Sequence, residues 1–186
     1  MEFDEVNNLM QGVGPSQDPY ELHWLYNKID ELKPHVIMEI GSYYGGNLRV
    51  LSTLLSKEDD HLISLDYDKK DFLWDTNTLK IKFDYVIGDS HKTETLERIK
   101  KVLNGREIDF LYIDGDHSEK GTIQDYEMYS PLVRVGGMIG FHDITMDGEG
   151  QKNNCGVLKA WNQIPEPKYQ MIKHPKAYGT GYFIKK

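Results

Sequence analysis

The chain has 186 residues, 39% of them hydrophobic, enough for one globular core without covalent staples. Thirty acidic side chains against 22 basic ones give a net charge of -8, which disfavours nonspecific attraction to nucleic-acid phosphates and anionic membrane surfaces. The single cysteine, Cys155, rules out an internal disulfide framework. With no apolar run near the roughly 20 residues of a membrane helix, and no signal peptide in MEFDEVNN, a soluble, cytoplasmic, single-domain protein is expected.

Asp18-Pro19-Tyr20-Glu21 predicts a helix start, with Asp18 as cap, Pro19 at the first helical position and Glu21 completing a box-like arrangement. Leu22, Leu25, Tyr26, Ile29 and Leu32 then share one helical face, and Pro34 ends the helix. Five short apolar runs follow: VIMEIG (36–41), HLISLD (61–66), DYVIGD (84–89), DFLYID (109–114) and GMIGFHD (137–143). Each precedes a longer segment able to form a helix. Near-continuous apolar strands alternating with helices predict a parallel sheet covered on both faces, which binds ligands at the carboxyl ends of its strands. The last stretch, YQMIKHP then AYGTGYFIKK, predicts two strands joined by a turn, an antiparallel pair at the sheet edge. The loose stretches are Gln11 to Gln17 and Asp147 to Asn154.

The ends of these runs carry the chemistry. Glu39-Ile40-Gly41-Ser42-Tyr43-Tyr44-Gly45-Gly46 joins a strand to a helix, with glycines where a tight turn or a close ligand needs them. It is neither the GxGxxG of a dinucleotide fold nor the GK[ST] of a phosphate loop. Asp66 ends the second run, where a carboxylate can accept from vicinal ribose hydroxyls. Asp89 and Ser90 end the third. Each alone is as readily a helix cap. Asp114, Asp116 and His117 follow the fourth run, and His142 and Asp143 end the fifth, all at the rim where polar groups leave the core. Asp116 suits turn chemistry. His91 reads as a loop histidine, and Tyr126, Tyr129 and Trp161 as packing residues.

Glu-x-Gly-x-x-x-Gly resembles motif I of class I S-adenosylmethionine-dependent methyltransferases. IDGDHSEKGTIQDYEMYSPLVRVGGMIGFHDI is similar to the matching segment of the methyltransferase 24 family, related to macrolide-sugar O-methyltransferases, cephalosporin hydroxylase-like proteins and catechol O-methyltransferase. The resemblance covers about Val36 to Ile144, and GVLKAWNQI resembles a helix that often follows. It implies a Rossmann-like, doubly wound, mainly parallel seven-stranded sheet with an antiparallel edge strand, in which residues 1–35 form a helical cap and 36–186 the catalytic core. It further implies S-adenosylmethionine held by Glu39, Gly41, Ser42, Tyr43, Gly45, Asp66, Tyr67, Asp89, Ser90 and Asp114. By the same resemblance a divalent metal, Mg or Mn, is held by Asp114, His142 and Asp143, with His117 as base beside Asp114. His142 departs from the pattern, since related enzymes generally carry a carboxylate there and imidazole suits Mn, Fe, Ni or Zn better than Mg.

The activity so implied is O-methylation of a hydroxyl on a small molecule, a sugar or glycan unit foremost, with homo-oligomerisation left open. Two other readings stay in play: a metal oxygenase using His and Asp ligands, and a non-catalytic binding protein of the same fold. Tyr43 and Tyr44 are candidates for the cofactor or acceptor pocket. The MDGEGQKNN segment is a candidate acceptor-facing lid by composition and position.

Overall fold

All five predicted runs form strands in the computed structural model, which describes residues 1–13, 17–146, 155–164, 167–173 and 178–186. They are β1 (Val36–Ile40), β2 (His61–Asp66), β3 (Lys82–Ile87), β4 (Ile108–Ile113) and β5 (Val133–His142). β6 (Tyr169–Met171) and β7 (Thr180–Ile184) complete a seven-stranded sheet of order β3-β2-β1-β4-β5-β7-β6. β1 to β5 pair in parallel, and β7 runs antiparallel to both β5 and β6. The C-terminal pair thus joins the sheet edge as expected, with β7 slotted inside β6. Burial explains the order: Thr180 to Phe183 are buried, whereas Tyr169 and Gln170 are exposed.

The helices are α1 (Phe3–Met10), α2 (Pro19–Leu32), α3 (Gly46–Ser52), α4 (Thr93–Leu103), α5 (Glu119–Tyr129) and α6 (Val157–Gln163). Every residue of β1 and β4 is buried, so these two central strands need apolar side chains on both faces. Met38, Ile40, Leu111, Ile113, Ile139 and Phe141 face α4, α5 and α6 together with Ile99, Leu103, Tyr129 and Trp161. Ile37, Leu62, Phe110, Tyr112 and Met138 face the opposite way, onto Leu25, Ile29, Leu48 and Leu51 of α2 and α3. Each such side chain contributes about 1.5–3 kcal/mol by leaving water. Tyr129 and Trp161 are core residues, as the sequence predicts.

Asp18 caps α2 as expected, its carboxylate accepting from the Tyr20 N–H at 2.8 Å, and Lys33 in the left-handed region (φ 51°) stops the helix before Pro34. Glu21 does not close a capping box. Its fully buried carboxylate instead accepts from the Lys173 and Gly179 N–H groups, each at 3.1 Å, so the chain around β6 and β7 recruits it away from the helix end. Most of the predicted lid, residues 147–154, lies outside the described residues. The chain leaves β1 for β2 and β3 on one side, then crosses to β4 and β5 on the other. The crevice between the β1 and β4 ends is therefore the topological switch point where such sheets bind ligands.

Candidate active site

The turn after β1 is built for close approach. Gly41 has φ +86°, and a Cβ there would stand 2.1 Å from the Asp114 carbonyl oxygen, so only glycine lets the β1 and β4 ends meet. Gly45 has φ +79° and caps α3, where the Phe72 and Trp74 rings leave no room for a side chain. Tyr43 is held at φ 48°, a costly conformation for a non-glycine residue. Its N–H donates to Asp66 Oδ2 at 2.8 Å, which ties the turn to the β2 end.

Glu39 is fully buried on the face of β1 that meets α3. Asn47 Nδ2 donates to its Oε1 at 3.0 Å, and Oε2 has no hydrogen-bond partner among the described residues. Burial, reinforced by the charge of Asp114, pushes its carboxyl up to about 8. A buried acid with a spare acceptor is costly for a fold alone and suits a cationic ligand group. Sequence reasoning missed Asn47, because a lone amide at a helix start carries no signal until the helix is docked.

Asp66, Tyr67, Asp89 and Ser90 line one cavity of about 370 Å³ together with Gly41, His91, Gly115 and Asp116. Tyr67 is 71% exposed at its rim. The Asp89 carboxylate also serves its own turn, accepting the His91 N–H at 2.9 Å. Gly41, Ser42, Tyr43, Tyr44, Asn47, Asp114, His117, His142 and Asp143 border a second cavity of about 420 Å³, walled further by Met146, Cys155 and Tyr178. Asp66, Gly41 and Gly115 belong to both, so the two are lobes of one cleft. A larger groove of about 790 Å³ between α5 and α6 shares Cys155 with the second lobe.

In the second lobe the carboxylates and imidazoles converge. His117 Nε2 lies 3.2 Å from Asp114 Oδ1 and 3.5 Å from Asp143 Oδ2, with its side chain 46% exposed to the cleft. The bond to Asp114 raises its pKa. His142 is buried, with Nδ1 3.2 Å from Asp114 Oδ1 and 3.3 Å from Asp143 Oδ1, while Nε2 is buried without a hydrogen-bond partner among the described residues. Burial opposes its charge, but Asp114 and Asp143 outweigh that and push it up to about 9. For Asp114 burial likewise works against the charge, and His142 and His117 still hold it below the usual carboxylate range. Burial raises Asp143, which turns back toward Asp114 through a left-handed φ of 59°.

The resemblance places His142 in the ligand set, and His117 offers a second imidazole to the same two carboxylates. The ligand atoms of Asp114, His117 and Asp143 lie within 4.8 Å of one another, so the imidazole in this group is His117. The His142 ring is buried in the wall of the same lobe, with its Nδ1 beside both carboxylates. Two carboxylates and an imidazole fit a divalent ion such as Mn²⁺ better than Mg²⁺.

Among the described residues no helix is long and apolar enough to cross a membrane. The rhamnosyl O-methyltransferase of Mycobacterium leprae (strain TN) is 25% identical over 133 residues, 67% of this chain and 56% of the relative. The chain spans about half the length of the curated relatives it matches. Among solved structures, the O-methyltransferase from Bacillus cereus in complex with SAH superposes with a TM-score of 0.63 at 19% identity, over 98% of this chain and 90% of the other. The MycE methyltransferase of mycinamycin biosynthesis, in complex with Mg, SAH and mycinamycin VI, gives 0.68 at 16% identity, over 100% of this chain and 53% of the other. The methyltransferase domain model of the methyltransferase 24 family matches residues 38–144, from the middle of β1 to just past Asp143, and the chain belongs to that family.

Proposed function

We propose that the protein transfers the methyl of S-adenosylmethionine to a hydroxyl of a small molecule, most specifically a sugar or glycan unit. The observation that carries this is His117, held by Asp114 and Asp143 at the mouth of a lobe that adjoins a second, carboxylate-lined lobe. Glu39, with its free acceptor, suits the ammonium of the cofactor's amino-acid end, and Asp66 suits its ribose. Support for a sugar acceptor comes from the rhamnosyl O-methyltransferase relative.

In this reading the acceptor hydroxyl lies beside His117, whose Nδ1 takes its proton as the oxygen attacks while Nε2–H stays directed at Asp114 and Asp143. The C–O bond forms as the C–S bond breaks, and S-adenosylhomocysteine leaves. Asp114 and Asp143 orient the imidazole and stabilise the imidazolium that results. His142 fixes both carboxylates from behind. A divalent ion held by Asp114 and Asp143 would lower the pKa of a bound hydroxyl. The short distances within the cluster also favour a second reading, with His117 as third ligand in place of base.

Calorimetry on metal-stripped protein tests the proposal. Binding of S-adenosylmethionine is expected, and no binding of it or of its demethylated product rejects the reading. With Mn²⁺ or Mg²⁺ and a panel of hydroxylated acceptors, Asp114→Ala should abolish turnover and spare cofactor binding. Unchanged activity refutes its role. Metal affinity of His117→Ala separates base from ligand, since only loss of a ligand weakens it.

A further inference from the structure

Between β2 and β3, residues 67–81 form no α-helix, only a short 3₁₀ turn at Thr76–Thr78. Residues 72–74 instead make an irregular strap across the turn after β1. The Leu73 N–H donates to the Tyr44 carbonyl at 3.2 Å, and the Trp74 Nε1–H donates to the Gly45 carbonyl at 2.8 Å. The strap is fastened to β3 as well: the Phe72 ring stacks on Tyr85 with centroids 4.8 Å apart and tilts against Phe83 at 5.9 Å. The Tyr85 hydroxyl accepts the Lys70 N–H at 3.0 Å. None of Phe72, Leu73 and Trp74 borders either lobe of the cleft.

The Gly45 carbonyl does not need the indole to be satisfied. It already accepts the Arg49 N–H at 3.0 Å at the start of α3, so Trp74 is a second donor to a paired acceptor. What the second bond adds is direction. The turn from Gly41 to Gly45 holds Tyr43 at φ 48°, and a left-handed tyrosine persists only where its surroundings over-determine it. On the cleft side the restraint is Asp66 Oδ2, which accepts the Tyr43 N–H and also faces the ligand. On the far side the restraint is the strap, tied to the two successive carbonyls that follow Tyr43.

We propose that residues 72–74 preset the glycine turn for the cofactor, with Trp74 as the positioning residue that acts through the Gly45 carbonyl. This rests on the cleft being an S-adenosylmethionine site, and it adds to that site a residue that touches no ligand. The consequence is a split between affinity and stability. Removing the indole N–H deletes one bond but lets the strained turn relax, so its two effects on folding oppose each other. Binding must then rebuild the strained turn, and affinity carries the cost.

Trp74→Phe tests this, because it keeps an aromatic ring beside Phe72 and deletes the N–H. Calorimetric titration should show S-adenosylhomocysteine bound about tenfold more weakly than by the wild type, with the melting temperature shifted by about 2 °C or less. Trp24→Phe, at a ring packed on Tyr182 of β7, is the control and should keep wild-type affinity. A merely structural Trp74 gives the reverse, a lowered melt with affinity intact. Unchanged affinity in folded Trp74→Phe therefore overturns the inference and leaves the cofactor reading standing, and so does an equal loss in Trp24→Phe. If Trp74→Phe does not fold, Phe72→Leu loosens the same strap at its β3 anchor and should weaken binding by about threefold or more; unchanged affinity there overturns the inference equally. If the wild type binds neither S-adenosylhomocysteine nor S-adenosylmethionine, the cofactor reading falls and takes this inference with it.

Discussion

Both ends of the parallel sheet gather aspartates and histidines, and they treat them in opposite ways. At the amino ends, Asp109 accepts from the His35 and Val36 N–H groups at 2.8 Å and from Arg134 Nε at 2.5 Å. Asp60 accepts from the Ser56 and Lys57 N–H groups and pairs with His35 Nδ1 at 2.7 Å. Burial opposes both charges, yet these bonds hold both carboxyls below the usual range. His61 has a buried Nδ1 without a partner among the described residues, and burial pushes its pKa down, which favours the neutral ring. At the carboxyl ends, Glu39 Oε2 and His142 Nε2 are left over, and Glu39, Asp143, His117 and His142 are all raised. A rim that satisfies its charges serves the fold. A rim that leaves a buried carboxylate oxygen spare, as at Glu39, is prepared for a ligand.

Substitutions at the two rims should separate stability from activity. The largest effect is expected for His117→Ala, which should lower kcat by about two to four orders of magnitude and leave the melting temperature nearly unchanged. A collapse in melting temperature would move His117 to the structural side of the comparison. Next, Asp109→Ala should cost about 2–3 kcal/mol in urea denaturation, because two strand N–H groups and Arg134 lose their acceptor, with cofactor affinity per folded molecule intact. The sign with pH follows: a carboxyl whose folded pKa is depressed stabilises the fold above its unfolded value of about 4. That stabilisation disappears as pH falls through the folded pKa, so the variant's acid unfolding should be less steep.

Glu39 should behave in the reverse sense. Its folded pKa of about 8 lies above the unfolded value, so holding it ionised costs stability increasingly as pH rises toward 8. Glu39→Gln should stabilise the ligand-free protein by about 1–3 kcal/mol at pH 7 and weaken S-adenosylmethionine binding. A stability loss together with unchanged affinity would erase the contrast between the rims. Smallest is Asp18→Ala, remote from both, which should cost about 1 kcal/mol through loss of the α2 cap. Chemical denaturation at constant pH reads it directly.

Much of this architecture was legible in the chain before any coordinates. Apolar runs of strand length, ended by acidic or glycine residues, marked β1 to β5, because burial on both faces demands near-continuous hydrophobicity. Gly41 was legible for a related reason, since a turn that brings two strand ends together tolerates no Cβ. Glu21 was misread because capping boxes are local patterns, whereas its acceptors were claimed by N–H groups more than 150 residues away. His91 reads as a loop histidine in the sequence, and Asp125 draws no reading there. Neither carries a signal until α5 packs under the β3 turn.

Taken alone, the sequence determined the alternation of strands and helices and the strand ends that supply carboxylates. Those features depend on hydrophobic periodicity and on steric rules that act within a few residues. The folded structure decided how His117 and His142 both come to Asp114 and Asp143. That arrangement turns on the direction of side chains leaving β5, where His142 is buried and a left-handed Asp143 lies close to Asp114 and His117. Spacing along a chain records proximity in sequence, and side-chain direction is settled by the packing of elements that sequence distance keeps apart.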